Sequence, residues 1–195
     1  MHCDHVLPPP VRLPNWSPAL PPGDLRAIWL HWTGGGYEQI FPAYHFCLAG
    51  ADDVVVHATH DLCANMRDVR ADPAAPYAAH TAGRNSYAIG LAACAMEGAT
   101  PAAFGPAPLT GAQCEALIVV CARLVRTYAI PLAAVRTHAE AACEDGYFGA
   151  AQDQRWDIAR IHPAPQPLAA SEATAAGNWF RDRIAAAVEH FESRR

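Results

Sequence analysis

The stretch AIWLHWTGGG, residues 27–36, decides the fold of this chain. Its first six residues are compact and mostly apolar, and the glycines that follow are typical punctuation at the end of a strand. The pattern therefore predicts a β-strand at Ala27–Trp32. His31 lies near the end of this strand and faces a glycine loop, where backbone and ligand can approach closely. It is either a ligand-binding residue or an ordinary half-buried histidine, and this stretch alone leaves both readings open.

Further strands and two long helices are predicted beyond this stretch. The strands that we expect are Tyr44–Leu48, Val54–His57, Tyr87–Cys94 and Val135–His138. The first two are separated by turn residues and together predict a hairpin. Thr110 and Gln113 make a capping box that opens the clearest helix, and a final helix runs from about Glu172 to Phe191. This order predicts an α/β (α+β mixed) fold with a single central mixed β-sheet flanked by helices.

The ends and loops of the chain suggest one domain with an N-terminal arm. Residues 1–24 contain seven prolines, which lack an amide donor and favour an extended arm laid over the domain rather than a core strand. We therefore expect an arm over residues 1–24 and a single domain over residues 25–195, closed by its C-terminal helix. Residues 61–85 are rich in Asp, Ala, Pro and Arg and predict a long irregular loop, a kind of segment that often carries function.

Composition excludes several classes of partner. The 195 residues include 14 basic and 19 acidic side chains, for a formal charge of −5, so the chain lacks the basic stripe that nucleic-acid binding needs. The apolar run Ala116–Ala122 is far shorter than the ~20 residues of a membrane span, and we expect no stable membrane insertion. Residues 1–10 contain no signal-peptide pattern, which predicts synthesis in the cytoplasm. We expect a monomer.

The cysteines do not direct the search for function, whereas the histidines do. Seven cysteines without a C-x-x-C pair predict reduced, mostly buried thiols. Ten histidines in so short a chain are the compositional oddity. His138 ends a short predicted strand, and Asp157 follows it 19 residues later between bulky neighbours. Two imidazoles and one carboxylate are a typical catalytic zinc set with a fourth position open to water, and the spacing of these two residues and His31 is compatible with such a site but does not by itself establish one.

Other histidines offer competing readings. His57 and His60 could share an ion only if their strand ends between them, because residues three apart point to opposite faces of a strand. His2 and His5 fall in the proline-rich arm, where a solvated or packed role is the ordinary reading. His80 lies in the irregular loop among polar residues, in a segment of the type that binds polar substrates.

Four motifs in a fixed order connect these residues to a known family. They are IWLHWT at residues 28–33, YHF at 44–46, HTAGRNSYAIG at 80–90, and THAE at 137–140 paired with RWD at 155–157. Over residues 25–160 this order resembles the zinc-dependent N-acetylmuramoyl-L-alanine amidases of the peptidoglycan-recognition-protein-like fold (amidase type 2). That group includes phage endolysins and animal recognition proteins.

The resemblance implies a metal centre and a substrate. Carried over position by position, the zinc ligands are His31, His138 and Asp157. The cofactor is then Zn²⁺, and the substrate is peptidoglycan or a muropeptide. The reaction implied is hydrolysis of the amide that joins N-acetylmuramic acid to L-alanine of the stem peptide.

The resemblance also implies roles for four residues around the metal. Tyr44 matches a tyrosine that positions the reacting water, although an ordinary packed strand aromatic is the alternative. Arg155 matches a lysine near the scissile carbonyl, where it would stabilise the oxyanion, and the alternative is a solvated surface charge. His80 and Asn85 would line the glycan-peptide cleft.

One departure from the family pattern separates the functional alternatives. Some amidases of this fold carry a glutamate base after the strand that here ends in Gly90-Leu91-Ala92-Ala93, and alanine stands in its place. The phage-type arrangement is thus the better match, and we expect a bacteriolytic, endolysin-like enzyme released to the cell wall by a holin or a secretion system. A cytosolic muropeptide-recycling amidase, a secreted effector and a non-catalytic peptidoglycan-binding module are the alternatives. The filled ligand positions favour catalysis.

Overall fold

The strand at Ala27–Trp32 lies inside the sheet of the computed structural model, which describes residues 11–16 and 18–193. The strands of this sheet are β1 (Val11–Arg12), β2 (Ala27–Trp32), β3 (Phe46–Ala49), β4 (Val55–Ala58), β5 (Ala88–Ala93) and β6 (Val135–Thr137). Their spatial order is β1-β4-β3-β5-β2-β6. β2 pairs in parallel with β5 and β6, and β3 and β4 form the antiparallel hairpin expected from the sequence. The predicted mixed sheet is confirmed.

Three α-helices accompany this sheet over the described residues: α1 (Gly111–Tyr128), α2 (His138–Asp145) and α3 (Ala170–Glu192). The capping box of Thr110 and Gln113 forms as expected at the start of α1. α1 and α3 pack against each other and contribute their apolar faces to the main core. The described residues contain no helix with the length and apolar character needed to cross a membrane.

The strand predicted at Val135–His138 is wrong at its last residue, and the helix that follows it was missed. β6 ends at Thr137, and His138 is the first residue of α2. The reason is a second capping box, in which the Thr137 hydroxyl accepts from the Glu140 N–H while the Glu140 carboxylate accepts from the Thr137 N–H. His138 therefore stands in the first turn of a helix rather than on a strand.

The alternation of side chains along β2 separates the core from the functional face. Ile28, Leu30 and Trp32 belong to the main core that α1 and α3 cover. Trp29 packs in a separate small cluster on the other side of the strand. Because successive residues of a strand point to opposite faces, His31 shares the face of Trp29 and is directed away from the main core.

The N-terminal arm lies against the domain in the part that the structure describes. β1 adds a two-residue edge strand beside β4, and Trp16 is buried with its ring 5.6 Å from that of Phe46. The domain boundary at residue 24 stays a prediction. His2 and His5, and the prolines before residue 11, lie outside the described residues.

The predicted irregular loop and the cysteines have mixed outcomes. Over residues 61–85 the structure contains only a short 3₁₀ helix, Leu62–Asn65, in agreement with the expected irregular loop. Five cysteines are free thiols: Cys47, Cys94, Cys114, Cys121 and Cys143. Cys63, however, is disulfide-bonded, so the expectation that all seven are reduced is wrong. Cys3 lies outside the described residues.

The cap of α1 gives a test of the fold. Thr110→Ala removes the side-chain acceptor for the Gln113 N–H and the hydrogen bond to the Ala51 carbonyl, and we expect it to lower the free energy of unfolding by about 1 kcal/mol. Thr127→Ala, on the exposed surface of the same helix, should change it by less than about 0.5 kcal/mol. Urea denaturation of both variants measures the difference. Equal stabilities would contradict the assigned cap.

Candidate metal centre

Three of the residues singled out in the sequence lie together at one end of the sheet. The ligand atoms of His31, His138 and Asp157 all lie within 4.8 Å of one another. All three side chains are buried. Over the described residues, this is the only group of three or more histidine, cysteine or acidic side chains placed closely enough to hold a metal ion.

The strand register makes the two histidines neighbours. β2 and β6 run in parallel, and Leu30 lies opposite Thr137. His31 follows Leu30 and His138 follows Thr137, so both histidines lie at the same end of the sheet. Their ring centroids are 4.8 Å apart. Asp157 lies on the segment after α2 and is held there by its carbonyl, which accepts from the N–H of Ala139.

The orientation of the rings indicates which atoms would hold an ion. His31 Nδ1 lies 3.0 Å from Asp157 Oδ2, and His138 Nδ1 lies 3.2 Å from the same oxygen. Two imidazole nitrogens and one carboxylate oxygen thus converge on one point. This donor set is that of a catalytic zinc site, in which three protein ligands leave a further position for water or substrate. The residues present therefore fit zinc.

The electrostatics keep His31 and Asp157 in their ligating forms. Burial lowers the pKa of His31 to about 4, so its imidazole is neutral at pH 7. Burial alone would raise the pKa of Asp157, but His138 and His31 beside it hold that pKa well below its ordinary value. A neutral imidazole and an ionised carboxylate are the forms that bind metal ions.

A cavity of about 800 Å³ opens next to the three residues. Its walls include residues from several segments of the chain: Trp32, Tyr44, Tyr77, His80, Asn85, His138, Tyr147, Arg155 and Asp157. Volumes of 300–1,000 Å³ are typical of ligand sites. The cavity therefore offers a substrate direct access to the metal position.

Tyr44 lies on the wall of this cavity beside His31. The two rings are 5.0 Å apart, and the Tyr44 hydroxyl donates a long hydrogen bond of 3.5 Å to the Trp32 carbonyl. Burial, with a smaller contribution from the Asp157 charge, raises the pKa of Tyr44 above its usual range. The phenol is therefore a neutral donor at pH 7.

Arg155 lies at the rim of the same cavity and is exposed. Its Nη1 donates to the carbonyls of Gln152 and Gln154 at 3.1 and 2.6 Å, which tie it to its own loop. A guanidinium carries five N–H donors, so these contacts leave donors for a substrate.

His80 and Asn85 are placed at the cavity wall, but their polar atoms serve the loop. Asn85 Oδ1 accepts from the backbone N–H groups of His80 and Thr81 at 3.0 and 2.9 Å. The His80 ring is buried, and its centroid is 5.6 Å from that of His31. Substrate binding by His80 and Asn85 stays a prediction.

Sequence reasoning missed Tyr147. Its hydroxyl is buried and has no hydrogen-bond partner among the described residues, and its ring is 6.0 Å from that of His138. It lies in the irregular segment after α2, outside every motif, so the sequence contained no signal for it. The competing pair His57 and His60 does not join any ligand cluster of three or more within the described residues.

Comparisons with known proteins bear on this site. The sequence model of the family described as N-acetylmuramoyl-L-alanine amidase (Amidase_2) matches residues 21–157, a range that contains all three metal-site residues. No curated protein matches the chain.

Two solved structures are similar to parts of the chain. The N-acetylmuramyl-L-alanine amidase AmiD from E. coli, in complex with the substrate anhydro-N-acetylmuramic acid-L-Ala-D-gamma-Glu-L-Lys, shares 15% identity at a TM-score of 0.43. That match covers 65% of this chain and 52% of AmiD, so the chain spans about half of AmiD. The N-acetylmuramoyl-L-alanine amidase LysC from Clostridium intestinale URNW shares 18% identity at a TM-score of 0.36, over 64% of this chain and 78% of LysC.

Buried histidines near the site should make stability depend on pH. Burial lowers the pKa of His45 to about 3, and the Gly90 N–H donates to its Nδ1, which requires the neutral ring. Above the ordinary pKa of about 6.5 this contribution to stability is complete. As pH falls from there toward 3, the unfolded chain binds a proton that the folded chain does not, and stability is lost.

For the metal-free protein we expect the free energy of unfolding to fall by about 2 kcal/mol or more between pH 7 and pH 5, since each pKa unit corresponds to about 1.4 kcal/mol. Urea denaturation in the presence of a chelator measures this. His190→Gln, at an exposed position of α3, removes none of the buried imidazoles and should show the same fall. Constant stability from pH 7 to pH 5 would mean that His45 is not buried as a neutral ring.

Proposed function

The chain belongs to the N-acetylmuramoyl-L-alanine amidase family, and from this premise we propose that it is a zinc-dependent peptidoglycan amidase. The bond cleaved is the amide between N-acetylmuramic acid and L-alanine. The observation that carries the proposal is the convergence of buried His31, His138 and Asp157 beside an open cavity. A structural zinc site would have four protein ligands and no such access.

The proposed cofactor is a single Zn²⁺ held by His31, His138 and Asp157. The donor set supports this choice, because imidazole and carboxylate together suit zinc and the site lacks a thiolate. When bound, the ion would lower the pKa of a water and polarise the scissile carbonyl.

Tyr44 and Arg155 are the proposed catalytic residues of the chain itself. Tyr44 presents a neutral phenol at the cavity wall beside His31, where it would orient the attacking water by hydrogen bonding. Arg155 keeps its positive charge at every working pH, so its role would be electrostatic stabilisation of the oxyanion that develops on the scissile carbonyl. Neither residue needs to transfer a proton in this scheme.

The substrate is proposed to lie in the cavity, with the loop of residues 80–85 as one wall. Asn85 ties this loop into a fixed shape through two backbone N–H groups, which would present the wall without reordering on binding. Peptidoglycan or a soluble muropeptide would place its lactyl amide toward the metal.

Among the amidases, we favour a bacteriolytic, endolysin-like enzyme that works as a monomer. Ala92 and Ala93 stand where some members of the fold carry a glutamate base, which argues against the recycling type. The enzyme would be made in the cytoplasm and reach the cell wall through a holin or a secretion system. A binding-only module is disfavoured because all three ligand positions are filled.

Removal of one ligand tests the proposed function. His138→Ala should reduce zinc from about one ion per chain to a trace and abolish release of stem peptides, because two ligands hold the ion far more weakly than three. Metal content by mass spectrometry and chromatography of digested muropeptides measure both effects. His162→Ala, an exposed histidine, should leave both unchanged. Full activity of His138→Ala would remove the proposed centre.

Arg155 can be tested through its charge. Arg155→Met should lower kcat on the order of 100-fold with a smaller change in KM, since the lost interaction belongs to the transition state. Arg155→Lys should recover part of the rate because it keeps a positive charge. Arg183→Met, on the exposed face of α3, is the matched control. An unchanged kcat for Arg155→Met would show that Arg155 is only a surface charge.

A further inference from the structure

The second ring nitrogen of His31 has a defined partner inside the protein. His31 Nε2 lies 3.3 Å from the hydroxyl oxygen of Thr81. The same hydroxyl lies 3.0 Å from His80 Nδ1. Thr81 is 1% exposed, so water does not compete for these contacts. A buried chain of hydrogen bonds thus extends from the metal position through Thr81 to His80.

The direction of each hydrogen bond follows once a metal ion is bound. His31 directs Nδ1 at the metal position, so with Nδ1 bound to the ion the ring proton would be on Nε2, which would donate to Thr81 Oγ1. The threonine hydroxyl has one proton to give, and in this arrangement it would donate to His80 Nδ1. One hydroxyl group thus links the tautomers of the two histidines.

Contacts with Asn85 and Gly90 hold Thr81 and His80 in place. Asn85 Oδ1 accepts from the N–H groups of both His80 and Thr81. Gly90 lies under the His80 ring, where a Cβ atom would come within 2.5 Å of the imidazole Cγ. Any larger residue at position 90 would displace His80. The geometry around Thr81 is thus built by several independent contacts.

We propose that Thr81 and His80 are positioning residues that fix the tautomer and the ring orientation of His31 at the metal centre. The inference rests on the proposed zinc site and adds to it the residues that prepare one ligand. A hydrogen bond to the second nitrogen of a ligating histidine typically contributes 10–100-fold to metal affinity. His80, at the cavity wall, would then act on the metal centre through Thr81.

Zinc affinity, measured by competition with a fluorescent chelator, tests this role without any turnover. Thr81→Val keeps the shape of the side chain but removes the hydroxyl, and we expect Zn²⁺ to bind 10–100-fold more weakly. Thr81→Ser keeps the hydroxyl and should bind Zn²⁺ within about threefold of the original chain. Thr110→Ala, which weakens the fold away from the site, should leave the zinc affinity unchanged and so separates positioning from stability.

His80→Phe provides a second variant, should Thr81→Val not fold. It keeps an aromatic ring against Gly90 and removes the acceptor for the Thr81 hydroxyl, so a several-fold loss of zinc affinity is expected.

The outcomes separate this inference from the proposed function. If the original chain binds Zn²⁺ and Thr81→Val binds it equally well, the positioning role is overturned while the metal site stands. If the original chain binds no Zn²⁺, the proposed function itself fails and this role fails with it. Weaker binding by Thr81→Val, recovered in Thr81→Ser, supports the role.

Discussion

The sharing of one buried carboxylate oxygen between two imidazoles is the constraint around which the site is organised. Asp157 Oδ2 faces Nδ1 of both His31 and His138, and all three side chains are buried. A largely buried, ionised carboxylate is costly unless a cation or a strong donor balances its charge. A divalent metal ion at this point would remove that cost, which is why the arrangement is better suited to a metal centre than to a structural hydrogen-bond network.

The parallel sheet supplies the precision that this arrangement needs. β2 pairs with β6 so that Leu30 lies opposite Thr137. This pairing brings the next residues, His31 and His138, together at one end of the sheet. A shift of one residue would turn His31 toward the main core. Asn85 holds the loop that carries Thr81, because its side-chain oxygen accepts from the Thr81 N–H. This loop in turn supports both His31 and one wall of the cavity.

Much of this could be predicted from the sequence, and the rest depended on contacts distant along the chain. The strand at residues 27–32 and the cap at Thr110 were visible in local patterns, and four motifs led to the family that the match over residues 21–157 confirms. The helix that starts at His138 was missed although its capping box, THAE, was legible, because β6 runs into this helix with no turn residues between them. Tyr147 and the Thr81 hydrogen bonds carry no local signal, since burial and pairing across 50 residues arise only on folding.

X-ray absorption at the zinc edge, on the zinc-loaded protein, tests the central claim most directly. We expect one ion per chain, with two imidazole ligands at about 2.0–2.1 Å, a further shell of oxygen ligands, and no sulfur. His138→Ala should retain only a trace of zinc and therefore lose this spectrum. A sulfur ligand, or three or more imidazoles in the original chain, would contradict the assignment of His31, His138 and Asp157 as the metal centre.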